Sequence, residues 1–200
     1  MHLTDDQADA LQELVNIGVG RAANMLNEMV EARILLQIPF IKVLSPRNLK
    51  EELEGRFNDD CLAAVRLNFT GAFCGAAELV FPTDSASTLV AVLTGEEPGT
   101  PDLDALKIGT LSEVGNIVIN GVMGSIGNVL KRHMDYAVPS YVEDTIENLL
   151  TSDSNIAILM AQARFTIEQL QIIGDIILIF EVSSFDALLE AINQQVGAPL

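Results

Sequence analysis

The feature that most constrains this chain is a recurrence. The stretch LQELVNIGVGRAANML begins at Leu11, and LSEVGNIVINGVMGSI begins at Leu111. At an offset of 100 residues, Glu13 aligns with Glu113 and Asn16 with Asn116. Leu11 aligns with Leu111, Leu14 with Val114, Ile17 with Ile117, Leu26 with Ile126 and Met29 with Val129. The chain therefore reads as an internal duplication, and the repeat sets the terms for everything else.

Both copies read as helices. In the first, Leu11, Val15, Gly18, Ala22, Met25 and Met29 step by three and four, which predicts a stripe lying on a core. In the second, Leu111, Val114, Val118, Val122, Ser125 and Val129 do the same. Ala22 and the glycines allow close backbone approach. Glu13 and Asn16 stand three apart, so their side chains are neighbours on one helix face, turned away from the stripe. Glu113 and Asn116 repeat that geometry. The sequence thus builds one acid–amide pair twice and predicts it exposed both times.

With 200 residues, 49% hydrophobic and 20% charged, the chain can bury a sizeable core. No apolar run reaches the roughly 18–20 residues needed to cross a bilayer. The acidic start, MHLTDDQADA, is not a signal peptide, so the expected location is cytoplasmic. Cys61 and Cys74 are expected as free, buried thiols. A net charge of −17 repels phosphate backbones and anionic lipid, which argues against nucleic-acid and membrane partners.

Thr4 or Asp5 is expected to cap the first helix, which should run to about Glu31. Ala32–Leu44 reads as a strand with Pro39 at an edge or bulge, followed by a charged connection, Ser45–Asp60, with a short helix at Asn48–Leu53. Leu62–Phe69 and Phe73–Phe81 read as a hairpin. Thr83 or Asp84 should cap a helix over Ser85–Leu93, which Gly95 ends. The Pro/Gly-rich bridge Glu96–Pro101 divides the chain into pseudo-repeats at about 1–97 and 98–200 of a single domain. The second repeat predicts a helical stretch Leu103–Arg132 split near Gly109 and a strand Tyr136–Glu143 broken by Pro139. A short helix at Ile146–Leu150 follows, then strands Ile156–Ile167 and Ile172–Val182, then a helix Phe185–Gln195 capped by Ser184. The tails also echo, GAAELVFPTDSASTLVAVL against GDIILIFEVSSFDALLEAI. The expected fold is α/β of the α+β kind. It is a pseudo-two-fold duplicated helix–three-strand–helix unit, with a mostly antiparallel sheet and two long exposed helices.

Familiar catalytic patterns are missing. His2 and His133 are isolated, no Cys/His spacing makes a zinc site, and there is no P-loop, dinucleotide fingerprint or nucleophile elbow. Gly18 and Gly20 fall inside a helical pattern and read as packing. Glu51 and Glu52 read as solvated surface, and Asp59 with Asp60 lacks convergent partners for a cation. The Glu/Asn pairs are what remains. A single exposed E-x-x-N is ordinary, and shared ancestry alone can repeat it. Asn nevertheless costs a helix interior about half a kcal/mol relative to Ala, and it is kept at the same place in both halves. A carboxamide is no strong base, but it can accept a hydrogen bond from a water and aim it. That suffices for phosphoryl transfer with a good leaving group, where catalysis is positioning and electrostatics. A neighbouring carboxylate can pair with a cation and fix the docking. On a convex helix, such a pair suits a macromolecular substrate.

D-x-x-x-E-x-x-N followed by I-G-x-G-x-A-x-x-L resembles the CheC family of chemotaxis phosphatases, of the CheC, CheX and FliY type. Asp9, Glu13, Asn16, Gly18, Gly20, Ala22 and Leu26 carry the first element; Glu113, Asn116 and Ile117 carry the second. The second departs from the pattern at Gly109, Val118 and Asn120. The resemblance implies two-component signalling chemistry: hydrolysis of the aspartyl phosphate on a CheY-type response regulator. Asn16 and Asn116 would orient the attacking water, and Glu13 and Glu113 would meet a lysine of the regulator. It implies no cofactor of the chain's own, magnesium on the regulator, and a monomer with two sites. A CheD-type deamidase is a second partner the family can take. The alternative is a non-catalytic docking module for a regulator or such a deamidase, or a structural piece of a flagellar switch.

Overall fold

The computed structural model describes residues 3–29, 33–57, 61–96, 103–146, 155–167 and 170–196. Helix α1 runs Asp5–Met29, and strands β1 (Ile34–Gln37) and β2 (Ile41–Leu44) follow. Helix α2 is Pro46–Phe57, β3 is Leu62–Gly71, β4 is Gly75–Pro82 and α3 is Thr83–Thr94. The second half gives α4 (Leu103–Leu130), β5 (Met134–Tyr136), β6 (Ser140–Asp144), β7 (Ile156–Ile167), β8 (Leu170–Glu181) and α5 (Val182–Val196).

The strands form one eight-stranded sheet in which every pair is antiparallel. Its order is β1-β7-β8-β4-β3-β5, with β2 also paired to β7 and β6 to β3. This order reads the same from either end once each strand is exchanged for its counterpart in the other half. The halves lend each other their outer strands: β1 and β2 complete β7, and β5 and β6 complete β3. The two halves join where β4 pairs with β8. Glu78 and Ile177, aligned in the echoing tails at an offset of 99 residues, sit directly opposite there. Two ring pairs repeat the relation. Phe69 on β3 meets Phe180 on β8, and Phe165 on β7 meets Phe81 on β4, each at 5.4 Å between centroids.

Alternation along β3 sends Ala63, Val65, Leu67 and Phe69 to the main core, which α1, α3, α4 and α5 cover. Leu62 and Ala64 point to the other face. There Leu49 and Leu53 of α2 close a smaller cluster with Ile146, Val80, Ile158 and Met160. The main core draws on both halves throughout. Its central contact is between α1 and α4. A Cβ on Gly18 would come within 2.5 Å of Val122 Cα, and one on Gly121 within 2.7 Å of the Gly18 carbonyl oxygen. The helices therefore cross backbone to backbone, which only glycine permits at those two places.

Several local expectations need correction. Ala32–Leu44 is not one strand: the chain leaves the sheet between Gln37 and Ile41, where Pro39 has no N–H for a ladder. Its counterpart breaks the same way at Pro139, between β5 and β6. Helix α4 runs unbroken through Gly109, and the α2 helix is longer than Asn48–Leu53. The stripe also shifts. Met25 and Met29 are 52% and 56% exposed, and Val129 is exposed, whereas Leu14, Val19 and Leu26 are buried. Thr4 does cap α1, reciprocally with Gln7: Gln7 N–H donates to Thr4 Oγ1 at 3.2 Å and Thr4 N–H to Gln7 Oε1 at 3.0 Å. Neither Thr83 nor Asp84 caps α3, whose N-cap is Pro82 with no side-chain bond; Gly95 ends it in the left-handed region at φ 72°. Ser184 lies inside α5 and instead accepts from the Cys74 N–H at 3.0 Å. Both cysteines are free, but Cys61 is exposed rather than buried and Cys74 is half-buried. Residues 97–101 of the central bridge, 147–150 of the short helix and the helix end beyond Met29 lie outside the described residues.

Candidate functional site

Helix α1 buries Leu11, Leu14, Val15, Gly18, Val19, Ala22, Ala23 and Leu26. That face leaves Glu13 exposed and Asn16 half-buried at its margin. Helix α4 buries Leu111, Val114, Val118, Val122 and Ile126 in the same register, with Gly115 against Val65 of β3. Glu113 is again exposed and Asn116 again half-buried. Each half thus presents its carboxylate in solvent, while its amide is half-buried rather than exposed as the sequence predicts. Among the described residues, no side-chain hydrogen bond or ion pair holds Glu13, Asn16 or Glu113. Nor does any group of three or more His, Cys, Asp or Glu among them suit a metal ion.

The surroundings of the two pairs differ. Asn120, one turn beyond Asn116, donates its Nδ2–H to Asn116 Oδ1 at 2.7 Å. The corresponding residue in α1 is Gly20, exposed and with open space where a Cβ would be. On the other side, Glu113 lines a cleft of about 400 Å³ with Gly109, Thr110, Leu106, Met29, Leu93 and Thr94. The matching region of the first half holds Asp9 in place of Gly109. There Gln7 Nε2–H donates to Asn193 Oδ1 of α5 at 3.1 Å, and Asn193 is the counterpart of Thr94 in the echoing tails.

Two acids lie buried away from these pairs. Glu78 on β4 is held above its ordinary value by burial, with Arg66 at 3.4 Å opposing the shift. Asp175 on β8 is raised the same way, with Arg56 at 2.9 Å opposing it. Both sit in the sheet and both have an orphaned oxygen, so they read as costs of the fold rather than as reacting groups.

Sequence reasoning missed the Asn116–Asn120 bond and the cleft beside Glu113. It also passed over one legible signal. Pro39 and Pro139 are themselves 100 residues apart, each 23 beyond its asparagine. The Gln12 side chain donates to the Ile38 carbonyl at 3.5 Å, which ties the first of these breaks to the helix that carries Glu13.

No family model matches the chain. Among characterised proteins it is 26% identical over 144 residues to the CheY-P phosphatase CheC of Bacillus subtilis, covering 68% of this chain and 66% of that protein. It is 20% identical over 139 residues to the flagellar motor switch phosphatase FliY of the same organism, covering 68% of this chain and 35% of that protein. The match therefore spans just under two thirds of the first relative and about a third of the second. Among solved structures, FliY of Thermotoga maritima superposes with a TM-score of 0.77 at 16% identity, over 98% of this chain and 100% of that one. A chain of the CheX–CheY–BeF3–Mg complex of Borrelia burgdorferi gives 0.54 at 19% identity, over 85% of this chain and 99% of that one. At these identities the structural matches speak for the fold. No described helix is long and apolar enough to cross a membrane.

Proposed function

As a member of the CheC, CheX and FliY family, this chain, we propose, hydrolyses the aspartyl phosphate of a CheY-type response regulator. The observation that carries the reading is the repeated surface geometry. Two carboxylates stand free in solvent, each with an amide at the same helix margin, on the two helices that the palindromic sheet relates. Both carboxylates lie on exposed helix surface, a geometry that suits a phosphoryl group carried on another protein.

In this reading the regulator docks its acidic active site on a helix. Glu13 or Glu113 takes up a lysine there, a contact weak in water and stronger once the interface excludes it. The neighbouring asparagine oxygen accepts a hydrogen bond from a water and sets it in line with phosphorus. The water oxygen bonds to phosphorus, the bond from phosphorus to the aspartyl oxygen breaks, and both water protons leave with the inorganic phosphate. The regulator's carboxylate is regenerated. Magnesium held by the regulator would neutralise the phosphoryl oxygens, and this chain would supply orientation and docking. The test is phosphate release from a phosphorylated CheY-type regulator with and without the protein. Faster release supports the reading. Tight binding with unchanged release supports a docking module instead.

A further inference from the structure

The two carboxamides occupy equivalent places but do not have equivalent freedom. The terminal torsion of an asparagine is broad, so a free carboxamide samples many orientations. Asn16 is in that condition: among the described residues nothing bonds its side chain, and the turn beyond it carries Gly20. Asn116 is not, because Asn120 donates to its oxygen at 2.7 Å across one turn of α4. Residues four apart on a helix face each other, so this bond is built into the helix. An amide oxygen has two lone-pair positions. Asn120 takes one and leaves the other for a water.

We infer that Asn120 is a positioning residue, which fixes the Asn116 carboxamide before the regulator arrives and makes the second site the faster of the two. The inference rests on the phosphatase reading above. Orientation set in advance acts on the chemical step rather than on association, so its signature is in kcat and not in KM. The structure also supplies the reciprocal experiment. Gly20 has open space around its Cβ position, so an asparagine can be grafted there without a clash. In a helix interior it is also the better of the two residues.

The substrate is a CheY-type regulator phosphorylated with acetyl phosphate in the presence of magnesium. The Asn16→Ala protein reports the second site alone, and the Asn116→Ala protein the first. Adding Asn120→Ala to the former lowers kcat about tenfold and leaves KM within about twofold. Asn120→Gln, which keeps a donor, recovers part of the loss. Adding Gly20→Asn to the Asn116→Ala protein raises its kcat several-fold. The side-chain amide resonances of Asn116 move on Asn120→Ala, while the melting temperature does not. Unchanged or increased kcat with Asn120→Ala overturns the inference, and so does a Gly20→Asn graft without gain. If Asn16→Ala alone removes all activity, the second site is idle: the inference falls and the phosphatase reading survives through the first site. If the parent chain fails to speed release, the reading itself falls.

Discussion

Helices α1 and α4 hold the same two chemical groups in different settings. Glu13 and Glu113 are both exposed, and Asn16 and Asn116 are both half-buried. Around them several positions have changed. Gly18 corresponds to Val118, Gly20 to Asn120 and Asp9 to Gly109, and the Gln7–Asn193 bond occupies a region that is an open cleft beside Glu113. The acid and amide have been held while packing, orientation and local charge diverged. The difference teaches that two copies of one motif need not be two copies of one site.

The largest expected effect comes from making α1 like α4. Gly18→Val puts a side chain where even a Cβ would lie 2.5 Å from Val122 Cα, and should cost about 3 kcal/mol in urea unfolding. The same change at Gly124, where a Cβ meets nothing, should cost little. Equal midpoints for the two variants would mean that the helices do not cross at backbone contact.

Next come the carboxylates. Glu13→Ala and Glu113→Ala, each in the background where only its own site works, should raise KM about tenfold with a smaller change in kcat. A loss confined to one of them would show that the docking role has not survived in both halves.

A smaller effect separates β4 from β8. Glu78 stands opposite Ile177, and its carboxyl is raised by burial against the pull of Arg66. The folded chain therefore holds that proton more tightly than the unfolded chain. The resulting stability is fully present below the ordinary value of 4.5 and is lost as pH rises through the folded value. Glu78→Ile copies the other half and removes this loss. It should stabilise the protein by about 1 kcal/mol at pH 7 and flatten, without abolishing, the fall in stability from acid to neutral pH. Asp175, shifted in the same direction, keeps the remaining slope. An unchanged slope would mean that Glu78 titrates alike in both states.

The smallest expected change is at Gly109, where Asp9 stands in the first half. Gly109→Ala should stabilise the protein by about 0.5–1 kcal/mol of helix propensity, read as a slightly higher melting temperature, because no neighbour meets its Cβ. No gain would mean that the cleft edge resists filling.

The long helices and the antiparallel character of the sheet could be read from the sequence because they are local or periodic. The exchange of outer strands could not. Nothing in ILLQ or IKVL names β7 as a partner, since strand pairing is decided by which edge the completed core leaves open. Gly109 misled because a glycine costs a helix only about 1 kcal/mol, less than the flanking turns gain by packing on the core. Met25 and Met29 misled because a helix of 25 residues drifts off any single stripe, and Leu26 took the buried place. At the site, Glu13, Asn16, Glu113 and Asn116 were legible as a repeated pair. The bond from Asn120 was not, because Asn120 registered only as a departure from the glycine of the first copy.

The most direct measurement is phosphate release from a phosphorylated CheY-type regulator by the Asn16→Ala/Asn116→Ala protein, with complex formation followed in parallel. A mechanism with an orienting amide on each of α1 and α4 predicts release slowed at least about 100-fold toward the regulator's own rate while the complex still forms. Release at the parent rate, with both amides gone, would contradict it.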